Sequence, residues 1–291
     1  GHTDWVTGVI HLRGGQRIMT CSHDGSLREW DAERGKQIGE GWRDEGARID
    51  TVALSPDGKK VLSGSPDDVV RLWDIDTAKV IARWMGHTAT VTSLCWSRDG
   101  RRVVSSACDG TVRVWDAETG ESTILEPLEF DRVRAAIYSP DETMIAAGGG
   151  ADDSGDIGFI KIWNANTGKL VKNLEPMAKE VCCLAWPGDG KTLISGSFDY
   201  EIRIWNTTTW QQIAVLMGHT GAVRDIEISP NGRILASASW DNTARLWNLE
   251  NGQPISSPLQ HADNVQCLSF SADGKVLATG CLDNNAYTWN V

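Results

Sequence analysis

At 291 residues the chain is long enough for one large domain or two ordinary ones. Its formal charge of −11, from 28 basic and 39 acidic side chains, is scattered through turn-like segments, which argues against broad electrostatic binding of nucleic acid or an anionic membrane. No apolar run reaches the roughly 18 residues of a membrane-spanning helix, and no leader with a basic start and apolar middle is present, although the abrupt start leaves what precedes Gly1 open. Seven cysteines, an odd number with no Cys-x-x-Cys pair, read as small buried thiols of a reducing, cytoplasmic compartment.

A repeat organises everything else. His2 and Trp30, His87 and Trp115, His219 and Trp247, and His261 and Trp289 each stand 28 residues apart. Between them lie runs rich in β-branched residues separated by turn clusters. In the sixth unit DIEI, RILASAS and TARLWN read as three strands of an antiparallel meander around SPNG and SWDN, with a fourth candidate strand after LENG. Four short strands cannot bury an apolar face alone, so such units must stack on one another.

Taken in chain order, unit one carries His2, Ser22, Asp24 and Trp30 in register. Unit two has Ser65, Asp67 and Trp73 with Glu45 at the His position, and unit three has His87, Asp109 and Trp115 with Ala107 for Ser. Unit four is irregular: Glu129 takes the His position, and Gly148 to Gly158 adds six residues before Trp163. Unit five keeps Ser197, Asp199 and Trp205 with Met177 for His. Unit six is complete in His219, Ser239, Asp241 and Trp247, and unit seven has His261, Cys281, Asp283 and Trp289 before the chain stops at Val291.

Gly-His, SPDG-type turns and Trp-Asp or Trp-Asn at intervals of about 42 residues resemble the WD40 repeat over essentially the whole chain. The resemblance implies an all-β fold, a seven-bladed β-propeller of four-stranded antiparallel blades forming a single domain over 1–291. It also implies that His, Ser, Asp and Trp form a buried hydrogen-bonded chain, complete here only in units one and six. Family blades close with a flanking strand, so unit seven either takes one from outside this sequence or has three strands, and an open edge invites pairing with another chain. Several turns, such as GQPISSPLQHADNV, are similar to fungal proteins in which such arrays stand alone or end a larger chain.

No chemistry rises above this periodic background. GDGKT (188–192) imitates the end of a phosphate-binding loop but has Ala185 where Gly is needed and falls in a hairpin turn, and Gly148-Gly149-Gly150 lacks the third Gly of a dinucleotide motif. Asn206-Thr207-Thr208 is a chance glycosylation match. The run Asp152 to Asp156 lacks the alternating ligands of a calcium loop. Four of six histidines belong to the repeat, and no nucleophile has its own base, so no enzyme, metal or cofactor is expected.

Subtracting the repeat leaves Trp5 and Trp240 without a structural slot. In the family, the residues three and five places after the His position, and the one before the turn Asp, face the narrow end of the ring and bind partners. Mapped onto this chain those positions include Trp5, Arg48, Arg132, Arg134, Phe198, Arg224 and Trp240. Aromatics with Arg are the composition of protein-binding hot spots, and Arg suits carboxylate or phosphate. The expectation is a non-catalytic scaffold taking an acidic or phosphorylated peptide segment on the narrow face. The alternative is a ligand- or metal-sensing module of a larger chain, using the 152–156 loop.

Overall fold

Five of the seven repeats share one local turn device. In unit six the strands run Val223–Ile228, Ile234–Ser239 and Thr243–Asn248, followed by a short outer strand at Leu259–Gln260. The first turn is held by the Ser229 hydroxyl, which donates to Asn231 Oδ1 (2.8 Å) and accepts the Ile234 amide (3.0 Å). Gly232 closes it at φ +73°, a left-handed conformation that a side chain would disfavour. The same Ser–Asp contact recurs at Ser55–Asp57, Ser97–Asp99, Ser139–Asp141 and Ser271–Asp273. GDGKT likewise lies in the hairpin between Val181–Ala185 and Thr192–Ser197.

A computed structural model of the chain describes residues 1–125, 132–150 and 157–291. Glu129 and the acidic run 152–156 lie outside the described residues. The strands form seven antiparallel sheets, six of four strands and the last of three, each ordered as in the sequence. First strands of successive sheets pack side by side, and Val6–His11 of the first sheet packs against Val265–Phe270 and Val276–Cys281 of the last, closing the circle. The architecture is a seven-bladed β-propeller.

The core lies between blades. Seven apolar clusters occupy the seven interfaces: Val104, Val133 and Trp163 join blades 3 and 4, for example, while Val6, Val9 and Ile18 meet Cys267 and Ala278 where blade 1 meets blade 7. Each sheet therefore needs its neighbour to bury its face. In blade 7 the strand Ala286–Asn290 has no outer partner among the described residues, and its Trp289 is only half-buried, whereas Trp73, Trp115, Trp163 and Trp247 are 1% exposed.

The buried polar chains differ from expectation in one residue. In blade 6, Trp247 Nε1 donates to Ser237 Oγ (2.9 Å), Ser237 Oγ meets His219 Nε2 (2.7 Å), and His219 Nδ1 meets Asp241 Oδ2 (2.8 Å). The bridging hydroxyl is Ser237, not Ser239, and in blade 1 it is Thr20, not Ser22, at 2.7 Å from His2 Nε2 and 2.8 Å from Trp30 Nε1. Both candidates lie on one face of the strand, two residues apart. Leu235 pairs with Trp247, so Ser237 is the diagonal neighbour of the indole and Ser239 is a further ~7 Å along the strand. Ser22 and Ser239 instead hold the loop, donating to Asp4 O and Gly221 O (both 2.9 Å) and accepting the turn Asp amides.

This correction adds a third complete chain. Blade 3, set aside because of Ala107, uses Ser105, at 2.6 Å from His87 Nε2 and 2.7 Å from Trp115 Nε1, with His87 Nδ1 at 2.9 Å from Asp109. In blade 7 Thr279 joins His261 (2.8 Å) to Trp289 (3.1 Å), but Asp283 is taken by the Tyr287 hydroxyl. Blades 2 and 5, without the His, bind the turn Asp through Arg: Arg71 to Asp67 (2.5 Å) and Arg203 to Asp199 (2.7 Å).

Blade 4 shows no His–hydroxyl–Trp chain among the described residues, and Lys161 stands at the register that Arg71 and Arg203 hold in blades 2 and 5. Ala147 sits opposite Lys161, where the bridging hydroxyl sits in blade 6. Its third strand, Gly158–Asn164, is buried along nearly its whole length, with Phe159, Ile160, Ile162 and Trp163 at 1% exposure or less. The glycine run serves close packing: a Cβ on Gly149 would lie 2.1 Å from Arg132 O, and one on Gly148 2.6 Å from Val181.

Candidate partner-binding mouth of the central channel

The first strands of blades 1, 3, 4, 5, 6 and 7 each carry a register shift at the same place. A bulge inserts one unpaired residue and re-aims its side chain. The residues so displaced are Thr7, Thr92, Arg134, Cys182, Arg224 and Gln266, and Asp50 stands at the equivalent register of blade 2. All seven line the central channel, a cavity of about 500 Å³.

Backbone pairing brings the other mapped positions to the same end. The amides of His23, Phe198, Trp240 and Leu282 donate to the carbonyls of Trp5, Glu180, Ala222 and Asn264 at 2.9–3.0 Å. Trp5 and Trp240 accordingly border one channel opening and are 46% and 37% exposed.

Two clusters form there. On blades 5 to 7, Arg224 lies with its guanidinium carbon 4.7 Å from the Trp240 ring centroid and 5.4 Å from that of Phe198. The two rings meet edge to face at 5.5 Å, and Trp240 Nε1 donates to Gln266 Oε1 (2.9 Å). Among the described residues Arg224 NH1 reaches only the Cys182 sulfur (3.7 Å), and its buried Nε has no hydrogen-bond partner. On blades 1 and 2, His23 Nε2 contacts Asp50 Oδ1 (2.6 Å) under the Trp5 ring, centroids 5.3 Å apart.

The four arginines of the sequence reading are not equivalent. Arg134 enters the channel lining but is bound to the buried Glu180 (2.9 Å). Arg48, exposed on blade 2, and Arg132, half-buried on blade 4, are not part of that lining. Phe198 joins through its contacts with Arg224 and Trp240. Sequence reasoning passed over Gln266, His23 and Asp50 as contributors, although all three fall on mapped positions.

It also missed two carboxyls deeper in the channel. Asp225 Oδ2 accepts the Leu268 amide (2.9 Å) and Glu227 Oε2 the Phe270 amide (2.7 Å), so blade 6 holds the inner edge of blade 7. Burial pushes Asp225 up to about 7 and Glu227 up to about 8, against the amide hydrogen bonds; the neighbouring Asp225 adds to the rise at Glu227. The signal was present in VRDIEI (223–228), an inner strand carrying acids at alternate positions. Among the described residues no group of three or more His, Cys, Asp or Glu gathers as a metal site, and all seven cysteines are free. Among the described residues no helix is long and apolar enough to cross a membrane.

Fold and mouth together define a β-propeller with a side-chain-lined axial opening. The chain belongs to the WD40 family: the model for "WD domain, G-beta repeat" matches residues 1–31, 37–74, 78–116, 168–206, 210–248 and 252–290. The stretch it skips holds the first three strands of blade 4. Among curated proteins, the chain is 30% identical over 200 residues to Autophagy-related protein 16 of Arabidopsis thaliana, covering 67% of this chain and 38% of that protein. It is 30% identical over 214 residues to Small ribosomal subunit protein RACK1 of Drosophila melanogaster, covering 70% and 51%. With Eukaryotic translation initiation factor 3 subunit I of the fungus Botryotinia fuckeliana it shares 34% identity over 89 residues, 31% of this chain and 26% of that protein. The matches thus span about half or less of these relatives' length.

Proposed function

We propose that the protein is a non-catalytic interaction scaffold whose channel mouth takes an acidic or phosphorylated peptide segment, with Arg224 as the principal anchor and Phe198, Trp240 and Trp5 as the apolar surround. The observation that carries this reading is the state of Arg224. It is a channel-facing guanidinium, placed by a bulge between two aromatic rings, with a buried N–H unmatched and no carboxylate in ion-pair contact among the described residues. Such a group favours an anion with paired acceptors. The net charge of −11 over the whole chain makes a cationic spot at the opening a selective feature. Two of the relatives are named as parts of assemblies, a subunit of an initiation factor and a small ribosomal subunit protein, which fits an interaction role. Seven free thiols suit a reducing, cytoplasmic setting.

Affinity capture with the intact ring against an Arg224→Ala/Trp240→Ala variant tests the reading. Partners retained by the first should be lost from the second, and an unchanged set of partners overturns it. A second contact is proposed at the edge of Ala286–Asn290, which has no outer strand among the described residues and can accept one by backbone pairing, from another chain or from a segment outside this sequence. The rival reading, a metal- or ligand-sensing module built on 152–156, rests on residues outside the described ones.

A further inference from the structure

The corner made by Phe198 and Trp240 has the form of a cation site. Both ring centroids lie within the ~6 Å over which an aromatic face attracts a positive charge, at 5.4 and 4.7 Å from the Arg224 guanidinium carbon. The rings come from different blades, Phe198 after Thr192–Ser197 and Trp240 after Ile234–Ser239, and each is held independently of Arg224. The Phe198 backbone N–H donates to Glu180 O (3.0 Å) and its side chain packs against the apolar cluster between blades 5 and 6, while the Trp240 backbone N–H donates to Ala222 O (2.9 Å) and its indole N–H to Gln266 Oε1 (2.9 Å). The corner therefore exists as a preformed surface that Arg224 fills from the neighbouring bulge. That bulge position accepts small residues, since blades 1 and 3 place Thr7 and Thr92 there.

We infer that Arg224 sets the charge class of the mouth by self-occupancy: it fills the Phe198–Trp240 corner against outside cations and leaves a channel-lining guanidinium, without a carboxylate partner among the described residues, for anions. Replacing it with Thr empties the corner and converts the mouth to a site for a tetraalkylammonium group, of which a trimethylated lysine side chain is the peptide form. The anion half of this assignment rests on the peptide reading above; the cation half does not.

The test is an NMR titration of the Trp240 indole N–H, assigned by its loss in Trp240→Phe, with tetramethylammonium chloride as the probe. Tert-butyl alcohol serves as the uncharged control of similar shape. Arg224→Thr should bind tetramethylammonium at least about tenfold more tightly than the unmodified protein, with no saturable response to the alcohol. Adding Trp240→Ala, followed by calorimetry, should abolish the binding. An Arg224→Thr protein that gives no saturable shift, or an unmodified protein that binds the probe equally well, overturns the inference. Arg224→Ser provides a second variant should Thr perturb the bulge. Titrating the unmodified protein with an acidic phosphopeptide separates the two readings. If the peptide fails to bind while the variant takes the cation, the peptide reading falls and self-occupancy stands; the reverse pattern sinks self-occupancy alone.

Discussion

In blade 6 the indole of Trp247 is tied through Ser237 and His219 to Asp241, whereas in blade 4 Trp163 lies equally deep with Ala147 where that hydroxyl would be. Blade 6 reaches its geometry through a directional polar relay. In the tautomer that gives Nδ1–H to Asp241, His219 Nε2 accepts from the Ser237 hydroxyl, which in turn accepts the indole N–H. Blade 4 uses longer strands of 7, 7, 7 and 8 residues, a third strand buried almost throughout, and glycines that let neighbouring backbone approach. Polar chains are thus one means of holding an otherwise interchangeable sheet, and close apolar packing is another. The blades with a polar chain are expected to be intolerant of losing a partner, and blade 4 of gaining an atom.

The largest effect is expected where an atom is gained. Gly149→Ala would place a methyl 2.1 Å from the Arg132 carbonyl, and should cost roughly 3 kcal/mol or more in denaturant unfolding, because a backbone atom must move. Next is the loss of the relay: Ser237→Ala should cost about 1–3 kcal/mol by leaving buried His219 and Trp247 ring nitrogens unmatched, and Ser239→Ala about 1 kcal/mol. Equal losses at the two serines would break the distinction between relay and loop hydroxyls.

Titration sharpens the same contrast. Burial alone would raise Asp24, but hydrogen bonds from Ser26, His2 and the Thr3 amide outweigh it and hold the carboxyl down at about 2; Asp109 and Asp241 are also held low, against burial, by His87 with Thr111 and by His219 with Thr243. These depressed carboxyls contribute stability that is present above pH ~4 and is lost as pH falls toward their folded values. Asp225 and Glu227 act in the opposite sense. With folded values raised to about 7 and about 8, their contribution is complete below pH ~4 and is lost as pH rises through 7 to 8. Thermal melts across pH 5–9 should show a decline toward the alkaline end that Asp225→Asn/Glu227→Gln flattens. An unchanged slope in that variant would remove these acids from the account.

Much of the ring was legible in the sequence because its period is carried by residues with no local substitute. Trp at 42- to 48-residue intervals and the 28-residue His–Trp spacing defined seven units, all present as sheets. Less legible was which of two serines on one strand face meets the indole, since an alternation of two leaves Ser237 and Ser239 pointing the same way and only cross-strand register separates them. The four arginines read alike in sequence for a similar reason. Nothing local says that Glu180 neutralises Arg134 from the next blade while Arg224 meets two rings, because both contacts cross blade boundaries. Gln266 was overlooked on the same ground, its partner Trp240 lying one blade away.

The mouth itself is tested most directly by calorimetric titration of a short phosphoserine-containing acidic peptide, and of its lysine-substituted counterpart, into the unmodified protein and into Arg224→Thr. The account predicts saturable binding of the acidic peptide by the unmodified protein alone, weakened at least about tenfold by the substitution, and no comparable binding of the basic peptide. Equal affinity of both proteins for the acidic peptide, or preference of the unmodified protein for the basic one, would contradict it.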